Sequence, residues 1–384
     1  MATSSASADK NSFGLRRVTE GSRSDAEICL GLTESVGWHY TIDTWRQWVH
    51  HGCFLFSTTP EGQDSEDGKD GSDSTSSEKV VGISCTFPQG ALATVGATIT
   101  LPEYRGKGLA TKLIRGLFDF ARSQPTASGQ PIRSLVLNGT ESGRPVYRRL
   151  GFKEYGWILT VKGSPAPVAD LATPESHLSS SPSLKLHMGG ESLSNDVWEQ
   201  FIQLEDEATE LDRRSVCEMS VLSADQTSSQ TSKTLLPGSR HAYIVDESTS
   251  RMTAFASTRK MRSQWIIAPI VASSPDQAVA LLSALLTEVH ANIQKAVSSG
   301  DTKVTLAQFD VDEAVDPQGT LQKYAENQWG LKVHRDLQLM EYLLDDAERE
   351  AGGAVGPAEL FNRRLEKGEK KGPLQYAIAD LSVM

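Results

Sequence analysis

The stretch at 93–122, ATVGATITLPEYRGKGLATKLIRGLFDFAR, organises the interpretation of the whole chain. Its first part, 95–101, is rich in β-branched and small apolar residues and ends at Pro102, which indicates a buried strand. In its last part, apolar residues recur at helical spacing from Leu109 to Ala121, and charged residues occupy the opposite face. The sequence therefore predicts a strand, a short loop and a helix with one face packed on a sheet.

The loop between this strand and helix reads RGKGLA at 105–110. Glycines without side chains let the backbone approach a ligand closely. The first amide N–H groups of the following helix have no partner within the helix, and the positive end of the helix dipole favours an anion. The loop is therefore predicted to bind a phosphate group.

The pattern R-x-x-G-x-A at 105–110 resembles the R/Q-x-x-G-x-G/A signature of the GNAT superfamily of N-acetyltransferases. The segment GRPVYRRLGF at 143–152, which follows a predicted strand at 134–138, is similar to the family's second signature. Upstream, GWH at 37–39 and D-x-W at 43–45 resemble the acceptor-side segment of a subgroup whose members carry a second GNAT-like half. With three matches in the expected order, the chain is identified as a tandem GNAT protein whose second half is degenerate.

This resemblance implies an α/β (α+β) fold of two GNAT-like domains, each a mixed, mostly antiparallel twisted sheet flanked by helices. It also implies that acetyl-CoA is the co-substrate and that its diphosphate lies against the 105–110 loop. The residues at the matching coenzyme positions are Ile99, Thr100, Leu101, Arg105, Gly106, Lys107, Gly108, Leu109, Ala110, Thr111, Asn138 and Tyr147.

Tyr147 occupies the place of the family's usual general acid, which protonates the departing thiolate. The alternative for Tyr147 is a purely structural side chain packed under the sheet. Family members often carry the general base on the strand before the loop, but 94–101 contains no acidic residue. The remaining candidates for the base, acting directly or through water, are Glu103, Glu141 and His39. A backbone N–H at 96–99 is expected to polarise the thioester carbonyl.

The aromatic segment 38–49 is predicted to be a helix with Thr41 or Asp43 near its N-terminus. Its aromatic residues suit either an acceptor pocket or a helix face packed on the sheet, and the spacing of Trp45 and Trp48 fits the packing alternative. The candidate acceptor-binding residues are Trp38, His39, Asp43 and Trp45. The acidic residues Glu34, Asp43 and Glu141 would suit a cationic acceptor.

Composition excludes some classes of function. The chain has 384 residues and a formal net charge of -11, which argues against a nucleic-acid partner. No apolar run approaches the roughly 20 residues that a membrane span needs. Four scattered cysteines without a C-x-x-C pair suggest reduced thiols and a cytoplasmic protein. No metal site is expected, because His50-His51 has no further ligand at suitable spacing. The protein is expected to be a monomer or a homodimer.

The β-β-β-α-β-α-β order of predicted elements occurs twice, which suggests a duplicated domain. The predicted parts are a disordered N-terminus at 1–12, a catalytic GNAT domain at 13–162 with a disordered acidic insertion at 58–79, a linker at 163–183, a degenerate GNAT-like domain at 184–350 and a C-terminal tail at 351–384. The second half has ASSPD at 272–276 in place of the glycine-rich loop. It is therefore predicted not to bind the coenzyme, and to pack against and close the acceptor side of the first half.

The favoured function is acetyl-CoA-dependent N-acetylation of a small amine or amino-acid-like acceptor, by direct attack in a ternary complex. A second possibility is acetylation of a protein or peptide at lysine or the N-terminus, although the second half would crowd an extended peptide. A third is a non-catalytic acyl-CoA-binding protein, which the intact loop and Tyr147 disfavour.

Overall fold

A computed structural model of the protein describes residues 13–19, 21–59, 79–123, 131–168, 171–223, 232–300 and 305–345 in full, and the backbone alone of 374–377. The predicted disordered N-terminus at 1–12, residues 60–78 of the acidic insertion and most of the C-terminal tail lie outside the described residues.

The described part of the first half contains the predicted β-β-β-α-β-α-β run, preceded by a strand and two helices. Its elements are β1 (Gly14–Val18), α1 (Arg23–Ser35), α2 (Ile42–His51), β2 (Cys53–Thr58), β3 (Val80–Gln89), β4 (Leu92–Thr100), α3 (Leu109–Ser123), β5 (Ser134–Gly139), α4 (Arg144–Leu150) and β6 (Lys153–Gly163). A short 3-10 helix at Pro102–Tyr104 follows β4.

The described part of the second half repeats this run from β10 to β14 and adds elements that the sequence did not indicate. Its elements are β7 (Leu184–Gly189), β8 (Ser192–Ser194), α5 (Asn195–Thr209), α6 (Arg214–Val221), β9 (Ser232–Thr234), β10 (Arg240–Asp246), β11 (Arg251–Lys260), β12 (Gln264–Ala272), α7 (Pro275–Ser298), β13 (Leu306–Asp312), α8 (Thr320–Trp329), β14 (Lys332–Leu343) and β15 (Leu374–Ala377).

Thirteen of the described strands form one continuous sheet, in the order β1-β2-β3-β4-β5-β14-β6-β13-β15-β12-β11-β10-β7. Most neighbours are antiparallel, and the pairs β4–β5 and β12–β13 are parallel. The predicted fold class, a mixed, mostly antiparallel sheet flanked by helices, is confirmed. The two predicted sheets are joined into one, however, because the halves exchange their last strands: β14 pairs with β5 and β6, and β6 pairs with β13.

The helices cover both faces of this sheet. On one face, α3 packs on β4 and β5 in the first half, and α7 and α8 pack on β12 and β13 in the second. The opposite face carries α1 and α2, whose hydrophobic cluster also contains Val216 and Met219 of α6 and Ile266 of β12. The second half therefore packs directly against the helices that precede the glycine loop at 105–110.

Two predicted boundaries change in the structure. Helix α2 begins at Ile42, where the Thr41 hydroxyl accepts a hydrogen bond from the Thr44 N–H at 3.3 Å, so Trp38 and His39 lie in the preceding loop and not in the helix. The linker at 163–183 contains a 3-10 helix at Pro174–Leu178, and Leu178 is buried in the second-half core. An apolar residue in a Ser- and Pro-rich segment was too weak a signal to reveal this packing.

The predicted C-terminal tail contributes a strand to the sheet, because the backbone of β15 runs between β12 and β13. Those two strands pair in parallel only from Gln264↔Leu306 to Ile266↔Gln308. Beyond that point they diverge, and β15 fills the gap between them. A four-residue strand is too short to give a periodic signal in the sequence. The local pattern also cannot reveal that β12 and β13 diverge and leave room for it.

Candidate functional site

The site begins at a bulge in β4. The register passes from Cys85↔Gly96 to Ile83↔Ile99, so Ala97 and Thr98 together face Ser84. Ala97 has φ 47°, an uncommon conformation for a residue with a side chain. Bulges interrupt the hydrogen-bond ladder and turn backbone groups out of it. The N–H groups that the sequence predicted at 96–99 therefore belong to irregular backbone, as a carbonyl-binding site requires.

Next to the bulge, β4 and β5 diverge. Their parallel pairing covers Leu92↔Ser134 to Thr94↔Val136 and stops there, although β4 continues to Thr100 and β5 to Gly139. On the other side of β4, which faces β3, the Leu101 N–H donates to the Val81 carbonyl at 3.0 Å. Because amides alternate in direction along a strand, the N–H of Thr100 points to the side that β5 has left open. The gap exposes backbone that can bind an extended ligand.

The predicted phosphate loop follows directly. Gly106 and Gly108 both have φ 77°, in the left-handed region that glycine adopts without strain. A Cβ atom at either position would meet no other atom within 4 Å, so conformation rather than crowding favours glycine here. The first bond of α3 runs from Lys112 N–H to the Gly108 carbonyl at 3.0 Å. The amides of Leu109, Ala110 and Thr111 precede it and are available to a phosphate.

Cationic side chains surround this loop. Arg105 is exposed, and its Nε donates to the Thr100 carbonyl at 3.3 Å. The ammonium of Lys107 lies 4.8 Å from the centre of the Tyr104 ring, and that of Lys79 lies 5.5 Å from it. Lys112 on α3 contacts the Phe13 carbonyl. These charges would attract the several phosphates of a coenzyme A molecule, with an affinity that falls as salt increases.

Two buried polar groups beside the gap have no hydrogen-bond partner among the described residues. They are Nδ2 of Asn138, which is 6% exposed near the end of β5, and the hydroxyl of Thr100 at the end of β4. Buried polar groups are nearly always hydrogen-bonded, so a ligand in the gap could supply a partner for Asn138 Nδ2. Amide groups of a pantetheine arm have the required donors and acceptors, and both residues are among the predicted coenzyme positions.

Tyr147 also points to this gap. It lies in α4, and its hydroxyl is hydrogen-bonded to Thr98 at the bulge. Burial raises the pKa of the phenol above its usual value near 10, while the bond to Thr98 opposes that shift, so the phenol stays protonated at neutral pH. Gly143 leaves room for the ring, since a Cβ there would lie 2.8 Å from Tyr147 Cε2. The structure thus places a proton donor against the bulge.

Three of the residues predicted to contact the coenzyme can offer only some of their groups to a ligand. The side chains of Ile99 and Leu109 are 3% exposed and lie in the core, so these residues can offer backbone groups alone. The Leu101 amide is already bonded to Val81, so it is not available as a donor. The sequence pattern predicts a coenzyme-binding segment but cannot separate side-chain contacts from backbone contacts.

The predicted acceptor residues separate into two groups. Trp38 and His39 line a cleft between the two halves, and the His39 carbonyl accepts a hydrogen bond from Arg262 N–H at 3.2 Å. Trp45 is fully buried among Tyr40, Trp48 and Phe54, and its indole N–H donates to Thr33 at 3.2 Å. The structure therefore gives Trp45 the packing role that the sequence left open.

The remaining acidic candidates do not gather at this cleft. Asp43 lies in the first turn of α2, 3.8 Å from Arg46, and Glu34 pairs with Arg262 of the second half at 2.5 Å. Glu103 and Glu141 are exposed, in the 3-10 helix after β4 and in the turn after β5. Of the three candidate bases, His39 is the one that lines the cleft.

Sequence reasoning missed the residues that the exchanged strands bring to this region. Lys162 of β6 and Arg335 of β14 line the cleft beside His39. Farther along the same face, burial raises the pKa of Asp312 on β13 to about 6, and burial first, then Glu341 and Asp312, raises the pKa of Tyr155 on β6. Nothing in the local pattern of β13 or β14 could have identified these residues, because their neighbours come from the other half.

The second half carries the corresponding bulge without the corresponding chemistry. Between Ile267↔Thr258 and Ile270↔Ala256, the residues Ala268 and Pro269 face Ser257. Pro269 occupies the position of Thr98 and has no N–H to donate. At the start of α7 the Ser274 hydroxyl already caps Gln277 N–H at 3.3 Å, and β15 fills the gap between β12 and β13. These features support the prediction that the second half does not bind the coenzyme.

The described residues contain neither a metal-ligand cluster nor a helix able to cross a membrane. No group of three or more His, Cys, Asp or Glu side chains in the described ranges is arranged to hold a metal ion. Among the same residues, no helix combines the length and hydropathy that a membrane crossing requires. The four cysteines are unpaired and buried, and burial raises the pKa of Cys29, Cys53, Cys85 and Cys217.

This geometry defines the class of protein: a strand bulge, a parted strand pair and a glycine loop at a helix start. Comparison with protein families agrees, since two models of the acetyltransferase (GNAT) domain match residues 72–154 and 202–314, together about half of the chain. The chain belongs to the GNAT superfamily of acetyltransferases and contains two GNAT domains. Members of this family generally transfer acetyl groups from acetyl-CoA.

Solved structures share the arrangement of both halves. A structure from Pyrococcus horikoshii, provisionally assigned as an acetyltransferase, is 11% identical with a TM-score of 0.53 and covers 89% of this chain and 92% of its own. A tandem GNAT protein from the clavulanic acid biosynthesis pathway is 12% identical with a TM-score of 0.50, covering 86% of this chain and 99% of its own. At such identities the likeness concerns the fold alone. A comparison with curated protein sequences finds no match.

Proposed function

We propose that the protein is an acetyl-CoA-dependent N-acetyltransferase that acts on a small amine or amino-acid-like acceptor through a ternary complex. The observation that carries the proposal is the juxtaposition of the Tyr147 hydroxyl with Thr98 at the β4 bulge, beside the open gap between β4 and β5. This arrangement puts a proton donor, backbone N–H groups and a phosphate loop along one path.

Each residue has a distinct role in this proposal. The amides at the start of α3 and the cations around the loop bind the diphosphate, and Asn138 and Thr100 bind the pantetheine amides. Acetyl-CoA supplies the thioester. A backbone N–H at the bulge stabilises the oxyanion that forms when the amine attacks, and Tyr147 donates its proton to the departing sulfur.

Approximate free energies favour the positioning of the two reactants as the main source of the rate enhancement. An alkylammonium with a pKa near 10.4 is neutral in about one molecule in a few thousand at pH 7, at a cost of roughly 4 to 5 kcal/mol. A base or water relay contributes about 10² to 10⁴ in rate, whereas holding both reactants together supplies about 7 to 11 kcal/mol. An exposed base such as His39, Glu103 or Glu141, reached through water, is therefore sufficient.

The second half bears on the choice between acceptor classes. It covers the face of α1 and α2, with Met261, Ile266 and Ala268 in the same hydrophobic cluster as Trp45 and Trp48. This packing supports a small acceptor over an extended peptide. A protein or peptide acceptor remains the second candidate for the transfer. A non-catalytic coenzyme-binding protein is the third, and the position of Tyr147 argues against it.

Calorimetric titration with acetyl-CoA, combined with a thiol-release assay on a panel of small amines and lysine peptides, tests the proposal. We expect coenzyme binding and turnover with small amines. Faster turnover of peptides than of any small amine would replace the small acceptor by a polypeptide. Tight coenzyme binding with no thiol release on the whole panel would favour the non-catalytic alternative.

The proposal also covers the partners, the cellular location and the oligomeric state of the enzyme. The net charge of -11 supports a protein that does not bind nucleic acid. Four reduced, buried cysteines support a cytoplasmic location. We also expect a monomer or a homodimer that has no membrane partner. Size-exclusion chromatography with light scattering distinguishes the two oligomeric states.

A further inference from the structure

A cleft of about 200 Å³ lies where the two halves meet, on the face of the sheet that carries α1 and α2. One wall is the loop at 37–40 that joins those helices. The opposite wall consists of strand ends, with Lys162 on β6, Gln308 on β13 and Arg335 on β14. Since β14 and β6 are the exchanged strands, this cleft exists because the halves share one sheet.

The wall formed by the strands is cationic. Lys162 pairs with Gln308, and Arg335 pairs with Thr160, so all four residues share one face of the sheet. Burial lowers the pKa of Lys162, the nearby charge of Arg335 lowers it further, and Asp310 opposes the shift. Asp310 shares this face through its pairing with Thr160.

The other ionisable side chains that line the cleft are His39, His334 and the phenol of Tyr40. None of the described residues that line it is acidic. The pair Glu34–Arg262 nearby is internally neutralised at 2.5 Å. The lining therefore repels a cation and attracts an anion.

The Arg335 guanidinium has a hydrogen-bond donor that no described residue satisfies. Its Nε is buried and has no hydrogen-bond partner among the described residues, while the side chain as a whole is half-buried. A guanidinium carries five N–H donors in a planar fork that matches a carboxylate or a phosphate. A buried donor in a cationic cleft without a protein acceptor indicates that a ligand supplies the acceptor.

The register relates this cleft to the coenzyme gap. Gln338 of β14 pairs with Gly139 at the end of β5, and Arg335 lies three residues farther along β14. With a rise of about 3.3 Å per residue and a strand spacing of about 4.8 Å, the Arg335 Cα lies roughly 11 Å from the end of β5. An acceptor that reaches both places has its anionic group several bonds away from its amine.

We propose that this cleft binds a carboxylate or phosphate of the acceptor, held by Arg335 and Lys162, so that the substrate class is an amine with an anionic group several bonds from its nitrogen. The inference rests on the proposed acetyl transfer for the use of the amine. It adds an anionic group to the earlier expectation that Glu34, Asp43 and Glu141 would suit a cationic acceptor.

Matched ligands test the anion site without relying on turnover. The probes are 6-aminohexanoate, 3-aminopropyl phosphate and hexylamine, which has the amine but no anionic group. Their binding to the full chain is measured by calorimetry in the absence of coenzyme, for the wild type and for Arg335→Gln, Arg335→Lys and Arg23→Gln. Arg23 is exposed at the start of α1, so Arg23→Gln removes the same charge at a distant surface.

We expect at least one anionic probe to bind about 10- to 100-fold more tightly than hexylamine, because hydrogen bonds to charged groups contribute roughly 1.5 to 3 kcal/mol. This advantage should disappear in Arg335→Gln, fall partly in Arg335→Lys, and persist in Arg23→Gln. Which anionic probe binds more tightly identifies carboxylate or phosphate as the group recognised.

Equal binding of all three probes, or an advantage that survives in Arg335→Gln, would overturn the anion site even if amines are acetylated. Conversely, preferential binding that Arg335→Gln abolishes, without thiol release from any amine, would retain the anion site and reject the proposed acetyl transfer. A folded state equal to that of the wild type, checked by circular dichroism, accompanies each comparison.

Discussion

At the scale of single residues, Tyr147 has the most specific placement. Its hydroxyl contacts Thr98, its ring packs against Phe152 with centroids 5.8 Å apart, and Gly143 leaves the space that the ring needs. The sequence motif identified the residue, while the structure identified its partner. A phenol whose pKa is raised by burial stays protonated at neutral pH, so its proton is present at the site when the bond from carbon to sulfur breaks.

Replacing Tyr147 by phenylalanine tests this role. We expect kcat for thiol release to fall about 10²-fold or more while the Kd for acetyl-CoA changes little, because the phenol acts when sulfur departs. Steady-state kinetics and calorimetric titration provide the two quantities. Tyr243→Phe, on β10 in the second half, is the matched control and should leave both unchanged. An unaltered kcat in Tyr147→Phe would remove this residue from the reaction.

At the scale of elements, the β4–loop–α3 unit contains most of the residues that we propose bind the coenzyme. The strand ends in a bulge and a 3-10 helix, two left-handed glycines reverse the chain, and α3 begins with amides that have no partner within the helix. The corresponding β12–α7 unit has the strand and helix but has Pro269 at the bulge and a serine cap at Ser274. Two units with the same topology therefore differ in what their backbones can bind.

Replacing Gly108 by valine tests the loop. A β-branched residue at φ 77° is strained by roughly 1 to 3 kcal/mol, so the loop should rearrange and the Kd for acetyl-CoA should rise at least about tenfold. Gly330→Val is the matched control, because Gly330 has φ 68°, an equally open Cβ position and a place at the end of α8. We expect the control to lose stability but keep its coenzyme affinity in calorimetric titration. Normal affinity in Gly108→Val would place the diphosphate elsewhere.

At the scale of the whole molecule, the exchange of β6 and β14 interlocks the two halves. Each half completes the sheet of the other, and the side chain of Gln47 in α2 donates to the Leu222 carbonyl after α6 at 2.6 Å. Separating the halves would expose unpaired strand edges and the shared hydrophobic cluster. The exchange therefore predicts that both halves unfold together.

Replacing Leu282 by alanine tests this coupling. Leu282 is fully buried in α7, so the change should cost about 2 to 5 kcal/mol of unfolding free energy. Denaturant unfolding followed by circular dichroism should show one transition. Hydrogen exchange measured on peptides from β3 and β4 should show lower protection of the first half in the variant than in the wild type. Leu15→Ala on the half-exposed β1 is the control and should change little. Two separate transitions, or first-half protection that stays unchanged, would contradict the coupling.

Local pattern was sufficient to predict most elements of both halves, because the strand and helix periods, the glycines and the cap residues act over a few neighbours. It also identified the glycine loop between β4 and α3, and the prediction that this loop binds the coenzyme depends on residues that are adjacent along the chain. It could not separate Trp38, which lines the cleft, from Trp45, which is buried. Both lie in the same aromatic segment, and burial depends on the elements that pack over it.

By itself, the sequence determined the family, the duplicated order of elements and the position of the glycine loop between a strand and a helix, because each of these depends on residues that are adjacent along the chain. The tertiary structure alone decided that the last strands are exchanged, that β15 fills the second gap, and that Arg335 and Lys162 meet beside His39. The physical reason is that strand pairing joins residues distant in sequence, and the alternation along one strand does not specify its partner.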